Sequence, residues 1–294
     1  MVNYERNDVT VKITNKLISE FSEYLIDEEK SVATVEKYIR DIKKFSLWLD
    51  GKELTKRIVL NYKEYLGENY APASVNSILS SLNSFFEYNE WHYLKVKMLK
   101  IQKRIFASKD RELTKEEYER LLCAAKQREN KKLYYLLQTI CSCGIRVSEL
   151  KEITVEAVKR KEAVIRCKGK MRVVLLPGAL CKMLTAYIKE EKILSGAVFI
   201  TRNGKKLDRS TIWKMMKSLC ECANVERKKV FPHNLRHLFA RTYYAIQKDI
   251  VRLADVLGHS SINTTRIYTM ETGDIHRKHI QELGLVYMHV PMRL

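Results

Sequence analysis

Apolar residues recur at helical spacing through the first third of the chain. Leu17, Ile18, Phe21 and Leu25 form one stripe; Val35, Tyr38, Ile39, Ile42, Phe45 and Leu49 form a second, behind a capping Ser31. A third helix is expected from Thr55 to Leu66. Pro72, suited to a first helical turn, precedes a fourth stripe of Val75, Ile78, Leu79, Leu82, Phe85 and Phe86. Four amphipathic helices predict a small bundle over residues 1–94.

The pattern then breaks. Residues 95–111 are basic and aperiodic, "KVKMLKIQKRIFASKDR", and read as a linker. A second domain, 112–294, opens at "LTKEEYERLL", where Thr114 and Glu117 have the spacing of a capping box. A longer helix follows, with Leu133, Leu136, Leu137 and Ile140 on one side and Gly144 placed to stop it. The period next changes from helical to alternating. "AVIRC" and "RVVLL", joined by "KGKM", predict a hairpin with Gly169 in its turn, and "AVFITRNGKKL" predicts a third strand ending at an Asn-Gly turn. Helical patterns resume at Ser210. The expected fold is mostly α with a small antiparallel sheet, the second domain being α+β.

Charge divides the chain unevenly. Its 294 residues carry a formal net charge of +19, but residues 1–110 hold 18 Lys and Arg against 16 Asp and Glu, whereas 111–294 hold 36 against 19. The second part therefore carries the surface suited to a polyanion. No apolar run reaches the about 18 residues a spanning helix needs, and the N-terminus lacks a signal-like apolar region, so a cytoplasmic protein without membrane contact is expected. Seven cysteines, an odd number without regular spacing, read as reduced structural thiols. Cys220 and Cys222 together with histidines leave a zinc protein as a distant alternative.

Five features of the second domain could carry chemistry. Arg146 in "CGIRVSEL" lies between two expected helices with Glu149 three residues on; alone, the two also read as a surface ion pair of little weight. Lys168 and Lys170 occupy the hairpin tip, where a basic turn is ordinarily just solvated. His233 and Arg236 in "FPHNLRHLFA" share a helix face at i, i+3, although His237 could be the relevant ring. His259 follows Gly258 at a helix break. Tyr268 falls on a helix beginning near Ser260 or Ser261, and a tyrosine is more often simply packed. This set holds no acidic pair to bind two metal ions. It suits a covalent route instead: a phenol attacks phosphorus, arginines neutralise the nonbridging oxygens, and a lysine or histidine protonates the departing oxygen.

Taken together the motifs resemble the tyrosine recombinases, the family of phage integrases and Xer-like proteins. "CGIRVSEL" is similar to the family's G-[LI]-R-x-S-E-L box, "CKGKMRVVLLP" to its K-G-x-K-x-R-x-V-P-L hairpin and "PHNLRHLFA" to its H-x-L-R-H box; "LGHSSINTTRIYT" resembles the box that ends in the nucleophile. The hairpin is one residue shorter than the common K-G-N-K form, and Thr269-Met270 stand where Xer proteins often have Thr-His. "SVATVEKYIRDIKKFSLWL" and "APASVNSILSSLNSFFEY" resemble the N-terminal SAM-like, core-binding DNA-binding domain.

The resemblance implies a site-specific DNA recombinase, independent of metal, ATP or other cofactors. Tyr268 would form a 3′-phosphotyrosyl intermediate. Arg146 and Arg236 would hold the phosphate, with His233 and His259 assisting, Glu149 supporting and Lys168 protonating the leaving 5′-oxygen. It also implies double-stranded DNA with a specific recombination site as partner, and a homo-tetramer on synapsed DNA whose subunits exchange a C-terminal tail. Two rival readings are a type IB topoisomerase-like enzyme that relaxes one duplex and a DNA-binding module without catalysis.

Overall fold

A computed structural model describes residues 12–101, 111–167, 170–201, 203–269 and 273–285. The chain divides into two compact units, Met1–Lys103 and Arg104–Leu294.

The first unit is the four-helix bundle that the stripes predict. Helix α1 (Asn15–Asp27), α2 (Val32–Leu49), α3 (Lys56–Asn69) and α4 (Pro72–Tyr88) bury Phe21, Ile42, Phe45, Val59, Leu79, Phe85 and Phe86 in one core. Phe21 meets Phe85 edge-on, with ring centroids 5.2 Å apart, the arrangement ring quadrupoles favour.

Residues 95–101, read from the sequence as the start of a linker, lie on this unit. Asn83 of α4 takes the backbone of Val96 from both sides, its Oδ1 accepting the N–H and its Nδ2 donating to the carbonyl, both at 2.9 Å. Two helical turns earlier Asn76 does the same for Leu99, at 2.7 and 2.9 Å. Val96 is buried beneath the strap so formed. The segment has no periodicity because side chains of α4 and α3 supply its hydrogen bonds, Lys63 donating to the Lys97 carbonyl at 2.7 Å. The rest of the expected linker, 102–110, lies outside the described residues.

In the second unit α5 (Lys115–Gln127) opens with the expected capping box: the Glu117 N–H donates to Thr114 Oγ1 and the Thr114 N–H to the Glu117 carboxylate. Helix α6 (Lys131–Cys143) ends at Gly144, which adopts φ +62°. Then come a 3-10 turn, Val147–Glu152, and α7 (Val155–Arg160). Strands β1 (Glu162–Cys167) and β2 (Lys170–Leu175) pair antiparallel, Glu162 opposite Leu175 and Cys167 opposite Lys170. Ala163, Ile165 and Val174 face the core; Met171, Val173 and Leu175 face outward.

The third strand does not form among the described residues. Residues 197–206 make only isolated bridges, Thr154 with Ala197 and Ile200 with Lys206. Val198 and Phe199 are adjacent and both buried, so the run lacks the two-faced alternation of a strand. Its expected turn does exist, Thr201 donating its N–H to the Lys205 carbonyl around Gly204. Helix α8 (Gly178–Glu190), α9 (Arg209–Lys217), α10 (Pro232–Gln247), α11 (Ile250–Leu257), α12 (Ile262–Thr265) and α13 (Gly273–Glu282) complete the unit. Helices α6 and α10 pack against each other, and Gly144 at the end of α6 lies against Phe239 of α10. No helix among the described residues is long and apolar enough to cross a membrane.

Candidate active site

Gly144 starts the site. A Cβ built there would collide with the Phe239 ring of α10, and its φ is one that side chains rarely adopt. Close approach lets the Gly144 carbonyl accept from Arg236 Nη1 at 2.6 Å. Gly144→Ala is therefore expected to lower the melting temperature, by strain and overpacking together on the order of 1–3 kcal/mol, as thermal denaturation would show. A melting temperature equal to wild type would refute the close approach.

Arg236 is the most enclosed charge in the unit, 1% exposed. Its Nη2 donates to the Leu257 carbonyl at 2.7 Å and to His259 Nε2 at 2.9 Å, while Nε–H is buried with no acceptor among the described residues. Burial, then the charge of Arg146, bring its pKa down to about 10, so it stays cationic near neutrality. The Tyr268 phenol lies against it and is one of the groups favouring that charge.

Arg146 caps the 3-10 turn, and Glu149 holds it twice. The carboxylate accepts the Arg146 backbone N–H at 2.8 Å and Nη1 at 2.9 Å. This is the ion pair anticipated from spacing, but not a surface one. Glu149 is 4% exposed, and it also accepts Arg172 Nη2 at 2.7 Å and faces Arg236 Nη1 at 4.0 Å. Burial opposes its ionisation, yet the backbone N–H and the Arg172 and Arg146 charges prevail and hold the carboxyl below its usual range.

The histidines and the tyrosine form a stack. His233 meets His237 edge-on at 4.4 Å between centroids, His237 meets Tyr268 at 4.7 Å, and His259 lies nearly parallel to Tyr268 at 5.9 Å. His237, left open by the sequence as an alternative to His233, thus sits between it and the tyrosine. Tyr268, 4% exposed, closes a cluster with Ala240, Leu253 and Leu257, so it is packed as tyrosines ordinarily are while touching every candidate ring but one. It follows α12 in a 3-10 turn, Arg266–Tyr268, and Ser261 caps α12, matching the expected helix start.

The His259 tautomer follows from its neighbours. Arginine only donates, so Nε2 must accept; the proton is then on Nδ1, which donates to Thr265 Oγ1 at 2.8 Å. Burial, then Arg236 and Arg146, push His259 down to about 4; burial, then His233 and Arg236, do the same for His237. The unfolded chain protonates these rings below pH about 6.5, where the folded chain does not. Stability is therefore expected to fall as pH drops from about 6.5 to 4, and melting curves of wild type and His237→Gln should converge across that window. Parallel curves would contradict the assignment.

Arg146, His233 and Arg236 form one wall of a cleft of about 780 Å³, which Lys151, Lys206, Arg209 and Trp213 also line. Among the described residues five cations and no carboxylate line it, a lining suited to phosphate. Desolvation in the wall, then the charges of Arg236, Arg146 and Arg209, lower the pKa of His233. Lys168 lies outside the described residues, as does the Lys170 side chain, and the choice between them rests on the motif alone. Among the described residues no three His, Cys, Asp or Glu side chains cluster to hold a metal ion. Sequence reasoning gave Arg172 no role, although it is the arginine of the K-G-x-K-x-R hairpin; its further signal was a charge on the inward face of a strand.

Residues 111–273 match the phage integrase family, and residues 18–92 match the phage integrase N-terminal SAM-like domain. Tyrosine recombinase XerA of Thermococcus kodakarensis is 31% identical over 281 residues, covering 92% of this chain and 96% of that protein. The TnP I resolvase of Bacillus thuringiensis is 30% identical over 276 residues, covering 85% and 93%. In fold, a lambda integrase dimer bound to a COC' core site aligns over 95% of this chain and 99% of that one, with a TM-score of 0.70 at 16% identity. The clustered arginines, histidines and tyrosine thus occur in a chain that belongs to the phage integrase family, as a tyrosine-type site-specific recombinase that cleaves and rejoins DNA strands.

Proposed function

We propose that Tyr268 attacks the scissile phosphate, forming a 3′-phosphotyrosyl bond and freeing a 5′-hydroxyl. Arg146 and Arg236 bind the nonbridging oxygens, with Arg236 offering the buried Nε–H that has no acceptor among the described residues. Fixed donors of this kind lower the barrier because they need no reorganisation as charge develops. His233 and His259 order the phosphate and the phenol, Glu149 holds Arg146, and Lys168 protonates the leaving 5′-oxygen. The bond energy is kept in the phosphotyrosine, so rejoining needs neither ATP nor metal.

One observation carries this reading: Arg236 both touches the Tyr268 phenol and lines a cleft whose charged lining, among the described residues, is all cationic. The partner is a DNA duplex with a specific site, gripped mainly through phosphates. Residues 1–94 supply a DNA-binding domain, 112–294 the catalytic domain, and four copies act on synapsed DNA. Helix α13, with Ile280 and the following Leu283 exposed, supplies the exchanged tail.

DNA covalently attached to the protein in its host can be recovered and its junction sequenced, and a nicked duplex of that sequence then incubated with the purified chain. Mass spectrometry of the digested adduct is expected to find the 3′-nucleotide on the peptide containing Tyr268. Attachment at Tyr243 or Tyr244, which border the same cluster, would overturn the assignment.

A further inference from the structure

Arg172 has no part in the chemistry above, yet its side chain joins three parts of the site that are distant in sequence: the β1–β2 hairpin, Glu149 and the end of α11. It stands on β2 opposite Ile165, on the face that Val174 turns to the core. Strand alternation calls for an apolar residue there, and a guanidinium with 15% of its side chain exposed occupies the place. Such burial is unfavourable unless the donors find acceptors. They do: Nη2 donates to Glu149 Oε2 at 2.7 Å, and Nη1 donates to the Val256 carbonyl in the last turn of α11. The aliphatic stem crosses Gly258, where a Cβ would collide with Cδ and Nε. Gly258 is thus bare for two reasons, its φ of +64° and this crossing.

We propose that Arg172 is a positioning residue for strand cleavage, a rigid fork that locks the lysine hairpin, the Glu149–Arg146 pair and the His259 turn into one register without touching the scissile phosphate. The inference rests on the function proposed above. Glu149 Oε2 is shared between Arg172 and the Arg146 backbone, while Arg236 Nη1 waits 4.0 Å away, bonded to the Gly144 carbonyl. Without Arg172, that oxygen keeps only the Arg146 N–H and can draw Arg236 from its place. The second tie acts on the other side of the site. Val256 precedes Gly258 and His259, so the fork also fixes the turn that presents the imidazole. A lysine cannot substitute, because one ammonium lacks the planar, two-pronged geometry that reaches a carboxylate and a carbonyl together.

The test uses the full chain and a nicked duplex of the recovered junction sequence, with Arg172→Ala, Arg172→Lys and Gly258→Ala compared below their melting temperatures. At saturating protein, each is expected to slow covalent adduct formation by about 10²-fold, the effect of a misplaced reacting group. The protein concentration that half-saturates the DNA should move by no more than about threefold, since the phosphate-facing cations remain. Combining Arg172→Ala with Gly258→Ala should add little, because both release the same turn. Independently of DNA, NMR titration of the His259 ring is expected to depart from wild type in Arg172→Lys, which keeps the charge but loses the tie to Val256, as well as in Arg172→Ala. An adduct rate within about threefold of wild type, a defect confined to DNA affinity, full rescue by lysine, or an unmoved His259 titration would each overturn the proposal. A wild-type chain that forms no adduct would instead sink the Tyr268 assignment, and the titration would still decide the role of Arg172.

Discussion

Tyr268→Phe is expected to abolish covalent attachment to DNA, a fall on the order of 10⁴-fold or more, while leaving the fold and DNA binding intact. The substitution removes one oxygen and keeps the ring. Packing against Ala240, Leu253 and Leu257 is apolar, so phenylalanine fills the same volume, and edge contact with His237 needs only an aromatic face. The hydroxyl lies against Arg236, whose Nη1 and Nη2 keep the Gly144 and Leu257 carbonyls and His259 as acceptors in its absence. Stability should therefore change by less than about 1.5 kcal/mol. Adduct formation on denaturing gels, gel-shift affinity and thermal melting separate the three quantities. A variant that still attaches DNA would exclude Tyr268 as the nucleophile.

Arg236→Ala is expected to damage both activity and stability. Loss of one preorganised donor costs about 10²–10³-fold in rate, and Arg236 offers its Nε–H, which has no acceptor among the described residues, together with its charge, so at least that loss should appear in single-turnover cleavage. The stability effect has a separate cause. The carbonyls of Gly144 and Leu257 and the Nε2 of His259 would lose their donor in a buried site, at about 1–3 kcal/mol for each group left unsatisfied. Arg236→Lys should recover part of the charge but little of the rate, since one ammonium cannot serve these acceptors and also present a donor to phosphate. Cleavage by the lysine variant at the wild-type rate would show that charge alone is required.

The parts of this fold that were legible in sequence are those specified by nearby residues. Stripes such as Val75, Leu79, Leu82 and Phe86 need only their own helix to show a buried face, and Thr114 with Glu117 write a helix start within four positions. What escaped depends on distant partners. Residues 95–101 look like a linker until Asn76 and Asn83 of α4 supply their hydrogen bonds. The run from Ala197 has strand composition, yet two adjacent residues are both buried and no neighbour extends the ladder beyond isolated bridges. In the site, motifs pointed to Arg146, His233, Arg236, His259 and Tyr268, and the fold gathers them. Spacing misjudged Glu149 as a surface partner because its burial comes from Arg172 and Arg236, 23 and 87 positions along the chain.

The hydrogen already committed between His259 and Thr265 bears on the proton inventory of the reaction. A departing alkoxide must collect a hydrogen at once or recombine. The ring facing the phenol has none to spare, because its remaining nitrogen is occupied as an acceptor. His237, held neutral well below physiological pH, has no surplus either. In the mechanism proposed above that donation is given to Lys168, because an ammonium keeps an extra hydrogen at neutral pH.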